Sequence, residues 1–126
     1  MHYCLGTDSI HTTAAACDYL EGRVTDGDTV TVISILDSEG SSGRRDCEEA
    51  LNVASVRLFE ADVETQVREG EPARELLEAI IATGADELII GARSGRPGTS
   101  RGVGSTTEAI LTESPVPVVV VPIEEL

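Results

Sequence analysis

Apolar residues along this chain fall into short unbroken runs and longer spaced stripes, and the two kinds alternate. Tyr3-Cys4-Leu5-Gly6 is an unbroken run, as a strand buried on both faces requires. Gly6-Thr7-Asp8-Ser9 then carries turn and helix-start residues, and a helix is expected to about Glu21 with Ile10, Ala14, Cys17 and Leu20 on its inner stripe. Gly22 stops it, and Asp26-Gly27-Asp28 makes a turn. The β-branched run from Thr29 to Leu36 predicts a second buried strand, followed by a polar loop from Asp37 to Gly43. Arg44 to Phe59 has helical spacing, with Cys47, Leu51, Ala54 (or Ser55) and Leu58 inward and Asp46, Glu48 and Glu49 near its start. From Asp62 to Arg68, Val63, Thr65 and Val67 alternate with polar residues, which predicts a one-sided, peripheral strand.

Gly70-Glu71-Pro72 opens the clearest helix, with Leu76, Leu77, Ile80 and Ile81 as its stripe and Gly84 as its stop. Glu87–Ile90 is a strand, Ser105–Glu113 a helix, and Val116 to Val121 a last strand bracketed by Pro115, Pro117 and Pro122. Strand and helix alternate four times and close on a strand. The expected fold is therefore α/β: a single domain over residues 1–126 built on a doubly wound, Rossmann-like parallel sheet of five strands, order 3-2-1-4-5, with helices on both faces. Such sheets bind ligands beyond the carboxyl ends of their strands, where the strand order reverses. With strands one and four as neighbours, Thr7-Asp8 faces the loop that runs from Gly91 to Thr107.

That second loop is the richest chemistry in the chain. It holds Gly91, Gly95, Pro97, Gly98, Gly102 and Gly104, and it ends in Ser105-Thr106-Thr107-Glu108, which reads as a capping box. A strand feeding a glycine-rich loop and then a helix N-terminus can cradle a phosphate, because the backbone comes close and the helix dipole favours an anion. Arg93, Arg96 and Arg101, three of nine basic residues, lie here, and no carboxylate stands between Gly91 and Glu108. The plainer reading is a soluble loop whose helix is satisfied by its own Ser105 and Glu108. On that reading Asp8 merely caps the first helix, and the arginines offset an acidic surface.

Composition narrows the field. Acidic residues number 23 against nine basic ones, giving a net charge of −14, and every basic residue is arginine. A self-repelling acidic surface suits a protein kept soluble in salt, so a halophilic setting is expected, with an acidic mesophilic protein as the competing reading. The acidity argues against nucleic-acid binding, which needs a basic face. The core must be aliphatic, since Tyr3, Tyr19 and Phe59 are the only aromatics. No apolar run reaches the roughly 18 residues of a membrane span, no signal peptide is visible, and Cys4, Cys17 and Cys47 lack metal or redox spacing, so a cytoplasmic protein with reduced thiols is expected.

Catalysis finds little support. His2 and His11 are the only histidines, and no nucleophile–base pair is evident. The absent lysine removes a P-loop and a response-regulator receiver. A dinucleotide fingerprint after the first strand would need more than Gly6.

The motifs resemble those of the universal stress protein family from the first strand to the last. The resemblance rests on Gly6-Thr7-Asp8-Ser9, Ile35-Leu36-Asp37, Gly70-Glu71-Pro72-Ala73, Ala85-Asp86-Glu87-Leu88-Ile89-Ile90-Gly91 and the closing Ser114-Pro115-Val116-Pro117-Val118-Val119-Val120-Val121. The family's nucleotide-binding branch carries Gly, two residues, Gly, nine residues, then Gly and Ser or Thr. Gly91 and Gly104-Ser105 match that spacing, while Ser94 stands at the middle glycine. The resemblance implies ATP binding, usually with a divalent metal such as Mg2+ or Mn2+. Position by position it puts Asp8 on the ribose, and Gly6, Thr7, Ile35 and Ile90 around the adenine. Gly91, Ser94, Gly104, Ser105 and Thr106 would serve the phosphates and ribose, with Thr107 on a phosphate. Arg93, Arg96 and Arg101 are added on physical grounds as mobile phosphate clamps. The expected function is that of a regulatory stress-response protein, not an enzyme, with at most slow ATP hydrolysis, for which Asp8 is the one candidate base. The alternative is a scaffold of the same fold that has lost ATP through Ser94. A homodimer is expected through the last strand, Val116–Val121, because an apolar edge tends to be paired or covered.

Overall fold

In a computed structural model, residues 1–36, 43–93 and 103–123 are described. The elements follow the expected alternation: β1 (His2–Thr7), α1 (Ile10–Leu20), β2 (Thr29–Leu36), α2 (Arg44–Arg57), β3 (Asp62–Glu69), α3 (Pro72–Thr83), β4 (Glu87–Gly91), α4 (Ser105–Glu113) and β5 (Val118–Val121). The five strands form one sheet in the order β3-β2-β1-β4-β5, every pair parallel. This is the predicted order, and it makes β1 and β4 neighbours.

Strand alternation sends each strand's apolar residues to two separate cores. Tyr3, Leu5, Val30, Val32 and Ile89 pack beneath Ala16, Cys17, Leu20, Leu51 and Ala54 of α1 and α2. Cys4, Ile33, Ile35, Leu88 and Ile90 pack beneath Leu76, Ala79, Ile80 and Ile110 of α3 and α4. The core is aliphatic, as expected, and Phe59 stands 78% exposed beyond the end of α2. All three cysteines are free and buried. Burial pushes the Cys4 thiol up to about 12 and that of Cys17 to about 11, so both stay protonated near neutrality.

Arginine ties the layers together. Arg57 of α2 donates to Asp18 and Glu21, each at 2.7 Å, and to the Ala14 carbonyl at 3.2 Å, which clamps α2 to α1. Arg68 on β3 reaches Glu75 of α3 at 3.0 Å, so the polar edge strand is held by charge as well as by its ladder.

Four details depart from expectation. Ile10 is 43% exposed, and α1 instead buries Thr12 and Thr13 with Ala16, Cys17 and Leu20. Ile81 of α3 is also exposed, and Ala73 and Ala79 take the inner face beside Leu76 and Ile80. β5 begins at Val118 and not at Val116. Pro117 has no N–H to give, so it enters the ladder only by accepting from Leu88 N at 3.0 Å, while Val116 turns back on the Ser114 hydroxyl. At α4 the expected capping box is not formed. Gly104 is the cap residue and makes no side-chain cap hydrogen bond, and Ser105 is the first helical residue.

Candidate functional site

The site is set by where two strands stop pairing. β1 and β4 are in register from Tyr3↔Glu87 to Leu5↔Ile89. Beyond that point Gly6 and Thr7 pair with Ile33 and Ser34 of β2, whereas Ile90 and Gly91 pair with Val120 and Val121 of β5. The sheet thus opens between β1 and β4 at their carboxyl ends, the switch point where doubly wound sheets hold ligands.

One lip of the opening is the β1–α1 turn, and its side chains are closely bonded. Ser9 caps α1, its hydroxyl accepting from Thr12 N at 3.3 Å. Asp8 is therefore not the cap; its Oδ1 accepts from the Thr12 hydroxyl at 2.7 Å. The buried Thr7 hydroxyl donates to Ser9 O at 2.9 Å and shares a 2.8 Å hydrogen bond with Thr13 Oγ1. Gly6 has a packing reason to be glycine: a Cβ there would lie 2.9 Å from both Leu76 methyls. Ile35 and Ile90 belong to that same α3-side core. The Ser34 hydroxyl, paired in register with Thr7, is buried without a hydrogen-bond partner.

The other lip joins β4 to α4. Thr107 is buried and donates to Gly91 O at 2.8 Å, and Gly104 N donates to Ala92 O at 2.9 Å, so the helix start is fastened to the strand end. A Cβ on Gly91 would meet Ile123 at 3.0 Å. Arg93 is not a mobile clamp here, because its Nη2 donates to Ile123 O at 2.6 Å. Ser105 is exposed, Thr106 is half-buried, and the cap position offers the first turn of α4 no side-chain acceptor. Of the expected site residues, Ser94, Arg96 and Arg101 lie outside the described residues.

The opening is therefore asymmetric. A carboxylate and hydroxyls stand on one lip, and the positive end of a helix with an uncapped first turn stands on the other. That pairing suits a ligand with hydroxyl donors at one end and an anion at the other. Among the described residues no group of three or more His, Cys, Asp and Glu could hold a metal ion. Thr12 and Thr13 went unnoticed in the sequence because helical periodicity scores them as polar. Their signal was two adjacent threonines on the first helical turn after an Asp-Ser turn.

The profile of the Universal stress protein family matches residues 6–122, from the first lip to the residue after β5. The chain belongs to the universal stress protein family. Comparison with curated proteins gives no match. The solved structure of hypothetical protein MJ0577 is similar in fold, with a TM-score of 0.82 at 17% identity over 98% of this chain and 96% of that one. A universal stress protein family protein from Arabidopsis thaliana with AMP bound gives a TM-score of 0.68 at 13% identity, covering 98% of this chain and 92% of its own. The universal stress protein from Archaeoglobus fulgidus in complex with dAMP gives 0.67 at 15%, covering 96% and 97%.

A second concavity, a groove of about 780 Å³, lies between α1 and the C-terminal segment and is lined by His11, Ala15, Asp18, Tyr19, Val119 and Ile123 among others. It shares none of the expected nucleotide residues. His11 is exposed on its rim, and His2, far from the opening, bonds Thr31 Oγ1 at 2.7 Å. Among the described residues, no helix is long and apolar enough to cross a membrane.

Proposed function

We propose that this universal stress protein binds an adenine nucleotide in the opening between β1 and β4, with ATP carrying Mg2+ or Mn2+ as the specific ligand, and acts as a regulatory protein and not as an enzyme. The observation that carries the reading is the parting of β1 and β4 between the Asp8 turn and the uncapped start of α4. Asp8 is an acceptor on the lip away from the helix dipole, so it serves ribose hydroxyls and not phosphate. Gly104, Ser105 and Thr106 present backbone and hydroxyl donors where phosphates would lie. The AMP and dAMP complexes of two proteins of the same fold support an adenylate as the ligand class. A divalent ion, when bound, offsets phosphate charge and would ride on the nucleotide, since the described residues offer it no cage of their own. No base is paired to a nucleophile around the opening, so hydrolysis would be slow at most.

Assembly belongs to the same reading. β5 is an edge strand whose Val118, Val119 and Val120 are only partly buried, and a second copy pairing along it would cover them. The net charge of −14 suits a salt-rich cytoplasm, where screening lets such copies approach.

Calorimetric titration of ATP with magnesium in molar potassium chloride tests the ligand, with Gly104→Val alongside. Micromolar binding that Gly104→Val abolishes is the expected result. No heat at millimolar ATP would mean that Ser94 has closed the site, and a scaffold role would replace the nucleotide one.

A further inference from the structure

α1 buries Thr12 and Thr13 on its first turn, 3% and 0% exposed, where a helix packed only for its core would carry aliphatic side chains. Both are β-branched, so neither is there for helix propensity. Helical side chains lean toward the N-terminus, which aims both hydroxyls back at the β1–α1 turn. Thr13 meets Thr7 Oγ1 at 2.8 Å and donates to Ser9 O at 3.1 Å. Thr12 donates to Asp8 Oδ1 at 2.7 Å, a short hydrogen bond of the charge-assisted kind, from a buried donor to a half-buried carboxylate. Thr12 is itself held, since its N–H and its Oγ1 both contact the Ser9 hydroxyl, at 3.3 and 3.4 Å.

We infer that Thr12 is a positioning residue that sets the discrimination between ribose and deoxyribose in the bound nucleotide. The inference rests on the nucleotide reading and deepens it. Asp8 Oδ1 is engaged by Thr12, which fixes the plane of the carboxylate and the directions in which its remaining lone pairs accept. A 2′-hydroxyl is a small donor at a fixed place on the sugar, so its recognition depends on that plane more than the binding of phosphate does. With the Thr12 hydroxyl gone, Asp8 keeps its charge and loses its fixed direction. Binding then weakens for the ribonucleotide and changes little for the deoxyribonucleotide.

The test titrates AMP and dAMP separately into wild type, Thr12→Val, Thr12→Ala and Thr12→Ser. The two hydroxyl-free variants are expected to lose about tenfold in AMP affinity. Their dAMP affinity stays close to wild type, so the preference for AMP collapses, and Thr12→Ser restores it. Equal loss for both nucleotides, or an unchanged preference, would overturn the inference. Side-chain couplings of Asp8 measured by NMR in the ligand-free proteins keep the two readings apart. Wild type that binds neither nucleotide ends the functional proposal alone. Positioning is then decided by Asp8, which is expected to hold one rotamer in wild type and Thr12→Ser and to average in Thr12→Val and Thr12→Ala. An Asp8 rotamer unmoved by the loss of the hydroxyl defeats it.

Discussion

Two helices begin at the same opening, and they are finished in opposite ways. α1 is capped by Ser9 and backed by Thr12 and Thr13, whose hydroxyls reach Asp8, Thr7 and Ser9. α4 starts on Gly104, which contributes no cap side chain, although Ser105 and Glu108 sit in a pattern that could have made a reciprocal box. A capping side chain is worth about 1 kcal/mol to a helix, so leaving α4 without one forgoes stability. The difference shows a rigid, self-satisfied lip that holds a carboxylate still, opposite a helix end whose positive potential stays available to a ligand.

Filling the open end is the sharpest way to break that contrast. Gly104→Asp places a carboxylate at the cap, and the backbone at φ −71° accepts a side chain, with the nearest atom to its Cβ being Arg93 Cα at 3.4 Å. Thermal unfolding should show a gain of a few tenths of a kcal/mol, as expected for replacing Gly at an N-cap. Adenylate affinity should fall by at least tenfold, because the new charge occupies the anion's place. A variant that is stabilised and still binds like wild type would move the phosphates away from α4.

Loosening the closed end comes next in size. Thr13→Val keeps the shape of a fully buried residue and removes the hydroxyl that joins Thr7 to Ser9 O. Denaturant unfolding should report a loss of about 1–2 kcal/mol. Ser9→Ala removes the cap and should cost about 1 kcal/mol. A change within error for both would mean that the hydroxyl network is ornamental and the turn is held by its backbone alone.

The strand runs, the parallel order and the two lips were legible in the chain because alternation of runs and stripes is itself the signature of this fold. Periodicity failed at the first turn of α1. It counts Ile10 as inner and Thr13 as outer, and it has no way to register a hydroxyl buried for the sake of a turn. The motif Ser105-x-x-Glu108 misled for a different reason. The bond from Gly104 N to Ala92 O brings the chain into helical geometry one residue early, and a long-range contact of that kind has no local sequence signal. Arg93 likewise read as a free cation, and its tie to Ile123 depends on a segment thirty residues on.

The smallest effect discriminates most finely between a built network and a merely polar neighbourhood. Ser34 sits beside Thr7 in the register, fully buried on the α1–α2 side of the sheet, and its hydroxyl has no partner. An orphaned hydroxyl carries its desolvation cost with no bond to offset it, whereas Thr13 recovers that cost through Thr7 and Ser9. Ser34→Ala removes the cost and leaves a void of one oxygen atom, so its unfolding free energy should be unchanged or higher by up to about 1 kcal/mol. Thr13→Val, a few ångströms of chemistry away in kind if not in place, should move the other way. A loss above 1 kcal/mol in Ser34→Ala would instead place a buried water between Ser34 and the Thr7–Thr13 pair, extending the closed lip one strand further into the sheet.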